Sequence, residues 1–73
     1  MQEKQQTTTS DIVYDLSSVL YHELQAAQSS AVYIQDAEQA GQQELASFLR
    51  EVRQDANKHA EQARRLLTQL GNA

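Results

Sequence analysis

Apolar residues recur at three- and four-residue steps in two long stretches of the chain. The first stretch runs from about Asp11 to Gln39 and the second from about Gln43 to Leu70. Such steps place the apolar residues on one face of a helix. A half-buried strand would instead alternate apolar and polar residues. The chain has no proline and only two glycines, so little in the sequence interrupts either stretch. The pattern predicts two helices of about 28 residues, each roughly 40 Å long.

A short break at Ala40-Gly41-Gln42 separates the two predicted helices. Glycine adopts the left-handed conformation that ends a helix without the steric cost of a Cβ atom, so Gly41 is the predicted turn and Gly71 the predicted end of the second helix. The first nine residues are polar after Met1 and rich in Gln and Thr, which predicts a disordered tail. The expected organisation is a tail over 1–9 and an antiparallel helical hairpin over 10–73.

The apolar positions predict which face of each helix packs against the other. The predicted contact positions of the first helix are Leu16, Val19, Glu23, Ala26 or Ala27, Ser30, and Tyr33 or Ile34. Those of the second helix are Leu45, Phe48 or Leu49, Val52, Ala56, His59, Ala63, Leu66 or Leu67, and Leu70. Apolar residues flank both sets, and one partner helix covers only one side of another. We therefore expect two hairpins to pair into a four-helix bundle, as a homodimer.

Glu23 and His59 are the two polar side chains that stand out within these sets. Glu23 lies eighteen residues before Gly41 (41 − 23) and His59 eighteen residues after it (59 − 41). In an antiparallel hairpin the two side chains therefore lie at the same height. They form either a structural pair, in which each satisfies the other, or two ligands of a metal ion.

Composition narrows the classes of function. The formal net charge is −4 and the chain has no cysteine, which argues against a nucleic-acid partner and excludes disulfides and thiolate metal sites. The apolar runs are too short for a membrane span, and the first residues lack the apolar segment of a signal peptide. The expected location is the cytoplasm. No nucleophile–base arrangement or phosphate-binding loop is present, so an enzyme is not the expected class.

Several positions of the chain resemble the ferritin-like superfamily, and most closely the two-helix repeats of rubrerythrin-type proteins. They are Asp15-Leu16, Glu23, Ala37 with Gly41, Phe48-Leu49-x-Glu51, and His59-Ala60. The resemblance covers roughly residues 15–68. It implies a ferritin-like four-helix bundle, built from two halves, in which Glu23 and His59 ligate iron or another divalent metal.

The chain departs from that family at one position. The resemblance places a bridging glutamate three residues before His59, where this sequence has Ala56. Dinuclear iron sites depend on such carboxylates. Asp55, one turn before His59, is the candidate substitute, from a rotated direction and with a shorter side chain. The expected function is therefore a structural or interaction module without a metal cofactor. The alternatives are a half-ferritin whose metal site uses Glu23, His59 and Asp55 across a homodimer, and a coiled-coil adaptor. The sequence does not identify any other protein partner.

Overall fold

Two long helices joined by a tight turn make up residues 9–72, the part of the chain that the computed structural model describes. Helix α1 spans Thr9–Gln39 and helix α2 spans Gln43–Asn72. The two helices pack along each other as an antiparallel hairpin, which confirms the all-α class predicted from the sequence. The predicted boundaries at the turn, Gln39 and Gln43, are also confirmed.

Gly41 ends α1 in the left-handed conformation, with a φ of +73°. The amide of Gln42 donates to the carbonyl of Ala37 at 2.9 Å, and the amide of Gly41 donates to the carbonyl of Glu38 at 3.0 Å. These two bonds form a Schellman motif, which satisfies carbonyl groups that the end of a helix leaves unpaired. The carbonyl of Gln42 then accepts from the amide of Ala46 at 2.9 Å and so begins α2. One residue thus closes the first helix and opens the second.

Small side chains fill the contact between the helices. We call this contact the buried seam, and its buried residues are Ala27, Ser30, Ala37, Ala46, Ala56, Ala60 and Ala63. Small side chains let two helices pack at the short end of the usual range of about 8–10 Å between axes. The buried seam differs from the predicted contact. Several bulky residues at predicted contact positions, among them Val19, Phe48 and Leu66, are exposed at its edges. His59 also lies at an edge, whereas the sequence pattern placed it within the seam.

Many large apolar side chains of the hairpin remain in contact with solvent. Those classed as exposed are Ile12, Tyr14, Val19, Tyr21, Leu24, Val32, Tyr33, Leu45, Phe48 and Leu66. No large side chain is fully buried among the described residues. An alanine buries far less apolar surface than a leucine or phenylalanine, and the free energy gained scales with that area. The single hairpin therefore has a weak hydrophobic core for its length.

At the open end of the hairpin, the start of α1 and the end of α2 can be compared with the boundaries predicted from the sequence. Helix α1 begins at Thr9, and the rest of the predicted tail lies outside the described residues. Gly71 was expected to end α2, but the helix continues through it to Asn72 and Gly71 has no positive φ. Glycine is tolerated in the α-helical conformation as well as in the left-handed one, so its presence alone did not fix the end of the helix.

Candidate functional site

Two open grooves lie along one face of the hairpin. The groove nearer the turn has a volume of about 520 Å³ and contains Tyr33, Phe48, Leu49 and Val52. The groove nearer the open end has a volume of about 320 Å³ and contains Leu16, Val19, Ala63 and Leu66. We call their common surface the apolar face; its residues are Leu16, Val19, Glu23, Ala26, Ser30, Tyr33, Phe48, Leu49, Val52, His59, Ala63 and Leu66, together with the polar residues His22, Gln25, Ser29 and Gln62 at its rims.

Helix geometry brings these side chains to one side. Val19, Glu23, Ala26, Ser30 and Tyr33 follow one another at three- or four-residue steps, which place side chains on one stripe of a helix. The positions contributed by α2 follow a matching stripe. Because both stripes lie beside the buried seam, the apolar face has bulky residues on both helices and small residues between them.

Glu23 and His59 meet across the two helices in the groove nearer the open end. His59 Nδ1 lies 3.5 Å from Glu23 Oε2, and both residues line this groove. The side chain of Glu23 is 29% exposed and that of His59 is 60% exposed. The structure thus confirms that the two side chains lie at the same height. At this distance the pair attracts strongly only when His59 is protonated, and in the single hairpin water reaches both groups.

Asp55, the third residue of the predicted metal site, does not join this pair. No group of three His, Asp or Glu side chains close enough to hold a metal ion occurs in the described part of the chain. Asp55 is exposed on α2, and Ala56, at the position of the missing carboxylate, is buried between the helices. One hairpin therefore offers one carboxylate and one imidazole to a metal at this site.

Two polar contacts of the hairpin were not predicted. Ser30 is buried, and its hydroxyl donates to the carbonyl of Ala26 at 2.7 Å, which satisfies the group within its own helix. Arg50 forms an ion pair with Glu38 across the turn, and both side chains are about half exposed. Glu38 lies three residues before Gly41 and Arg50 nine residues after it, so the position of the turn alone does not predict this pair.

The other long side of the hairpin is more polar on α2. A smaller groove there, of about 230 Å³, is lined by Ile34, Arg50, Arg53, Gln54 and Asn57. Its residues from α2 are polar and exposed, and no acidic residue lines it. The apolar face is therefore the candidate functional surface.

Membrane insertion is not indicated by either helix: over the described residues, neither is long and apolar enough to cross a bilayer. Comparisons with protein-family models, curated proteins and solved structures give no match. The resemblance to ferritin-like proteins therefore remains a prediction drawn from the residues of this chain.

Proposed function

We propose that this chain is a helical-hairpin interaction module whose apolar face pairs with the same face of a second copy. The product is a four-helix bundle of the ferritin-like kind, with a structural role. Its hydrophobic core lies between the two hairpins, and each hairpin supplies half of that core.

The observation that carries this proposal is the distribution of large and small apolar side chains. The helix–helix contact within the hairpin uses alanines, whereas Phe48 is 57% exposed and Val19 is 47% exposed on the apolar face. Burying a fully exposed side chain of this size stabilises by about 1.5–3 kcal/mol, so covering the exposed half gains about half of that. Several such residues on both helices of one face together favour association of two copies.

A matched pair of substitutions on α1 tests which surface associates. Val19 lines the groove nearer the open end, whereas Val32 is 55% exposed and lines neither groove of the apolar face. Val19→Gln removes about 0.7 kcal/mol or more from each copy, because about half of the side chain is still exposed in the single hairpin, so the dimer loses roughly 1.4 kcal/mol or more and its affinity falls at least about tenfold. Val32→Gln leaves the dissociation constant unchanged within a few-fold. Equal losses in the two variants, measured by sedimentation, would show that the apolar face is not the interface.

A second candidate function is metal binding at the same face, and the Glu23–His59 contact is the observation that favours it. Two copies supply two carboxylates and two imidazoles, donors that suit iron, zinc and related divalent ions. The site would lack the bridging carboxylate that Ala56 replaces. Glu23 and His59 of both copies would hold the ion, and the ion would supply Lewis acidity.

Purified, untagged protein separates the two candidates. A structural pair predicts no stoichiometric metal by elemental analysis and a melting temperature that added iron, manganese or zinc does not raise. A working metal site predicts stoichiometric metal that is lost in Glu23→Ala, and a stabilisation that grows as ln(1 + [metal]/Kd). His59→Ala then removes that stabilisation, while Lys58→Ala, at an exposed position that lines neither groove of the apolar face, preserves it.

A further inference from the structure

The two helices of the hairpin differ strongly in charge. Helix α1 carries five acidic residues and no lysine or arginine, for a formal charge of −5 (0 − 5). Helix α2 carries five basic and four acidic residues, for a formal charge of +1 (5 − 4). The difference of six charges matters for pairing, because long-range repulsion and attraction decide which surfaces of two charged molecules face each other.

Two symmetric ways exist to place the apolar faces of two hairpins together. If the two-fold axis runs along the helices, both turns lie at the same end of the bundle and α1 of each copy faces α2 of the other. If the axis runs across the helices, the turns lie at opposite ends, α1 faces α1 and α2 faces α2. Both arrangements bury the same side chains, so apolar area alone does not distinguish them.

We propose that the dimer takes the first arrangement, with both turns at one end and each acidic α1 against the α2 of the partner. This inference rests on the proposed dimer and adds its orientation. The other arrangement would bring two helices of charge −5 side by side. Like charges at such spacing destabilise an interface, whereas the proposed arrangement alternates the two kinds of helix around the bundle.

The position of Glu23 and His59 supports the same orientation. Glu23 is the fifteenth of the 31 residues of α1 (23 − 9 + 1), and His59 is the seventeenth of the 30 residues of α2 (59 − 43 + 1). The pair thus lies halfway along the hairpin, where the pairs of two copies come together in either arrangement. With α1 facing α2, each Glu23 meets the His59 of the partner as well as its own. With α1 facing α1, the two Glu23 carboxylates would meet in an apolar interface, where two like charges placed side by side repel.

Distances between spin labels on two copies distinguish the orientations. The chain has no cysteine, so Gln42→Cys and Gln69→Cys each provide a single labelling site, at the turn and near the open end. Both side chains are exposed. Double electron–electron resonance is measured on each labelled protein at a concentration where sedimentation shows the dimer. A chain labelled at both sites and diluted into unlabelled protein calibrates the length of one hairpin.

The proposed arrangement predicts a short distance for both variants, roughly 20 Å or less, since equivalent ends are one or two helix spacings apart. Long distances for both, near the roughly 40 Å that separates the ends of one hairpin, would overturn the orientation and leave the dimer intact. A monomer by sedimentation, with no distance between copies, would overturn the proposed function together with this inference. Circular dichroism of each labelled variant confirms that the helices are retained.

Discussion

His59 Nδ1 lies 3.5 Å from Glu23 Oε2 across the two helices, in the middle of a face that is otherwise largely apolar. Another ion pair across the helices, Glu38 with Arg50, lies near the turn and has both side chains about half exposed. The hairpin therefore contains two contacts of the same kind in different surroundings. If a second copy covers the apolar face, only the first contact loses its water.

The coupling between Glu23 and His59 should accordingly exceed that between Glu38 and Arg50. Double-mutant cycles with Gln at each position measure both couplings from the free energy of unfolding. Exposed pairs contribute about 0.2–1 kcal/mol and weaken in salt. We expect the Glu38–Arg50 coupling to fall in this range and to vanish in 1 M salt, as the Debye length drops to about 3 Å.

The Glu23–His59 coupling should persist in the same salt, because the dimer excludes water and ions from the pair. This requires a protein concentration well above the dissociation constant and a pH at which His59 is protonated. Identical salt sensitivity in the two cycles would mean that Glu23 and His59 stay exposed, and that the apolar face has no cover.

Enlarging a residue of the buried seam should destabilise the hairpin itself. Ala60 is 2% exposed on α2, between the helices. Ala60→Leu forces the helices apart, and overpacking of this kind costs about 1–3 kcal/mol. Gln54→Leu, at an exposed position of the same helix, serves as the control and should change stability little. Chemical denaturation measures both. A neutral Ala60→Leu would show that the alanine contact is loose enough to accept a larger side chain.

The two glycines should respond in opposite directions to the same substitution. Gly41 has a φ of +73°, whereas Gly71 has no positive φ and lies within α2, and a Cβ atom would meet nothing within 4 Å at either position. Gly41→Ala therefore costs about 1–2 kcal/mol through the left-handed backbone alone. Gly71→Ala should be neutral or stabilising by up to about 1 kcal/mol, because alanine favours a helix. Thermal unfolding that ranks the two variants in the reverse order would contradict this assignment of the turn.

The sequence was sufficient to predict the helices, the turn and the height of Glu23 relative to His59. Periodicity and the single glycine between the two stretches determine all three, since an antiparallel hairpin with a known turn has a fixed register. The residues of the buried seam were harder to predict from the sequence. A wide apolar stripe leaves open which of its edges faces the neighbouring helix, and alanines allow a closer approach than the bulky residues Val19 and Phe48 would.

The end of α2 and the grooves could not be predicted for a similar reason. Gly71 is compatible with both helical and left-handed backbone, so only its surroundings decide. The grooves arise because alanines bring the helix axes together while larger side chains such as Tyr33 and Leu66 stand at the rims. That arrangement depends on the distance and rotation of the helices, which a list of apolar positions does not contain.

Sedimentation equilibrium at micromolar concentration shows directly whether a second copy covers the apolar face. The proposed dimer has a mass of 16.4 kDa, twice the 8.2 kDa of one chain, and its melting temperature should rise with protein concentration, because folding and association are linked. A mass of 8.2 kDa with a melting temperature independent of concentration would contradict it.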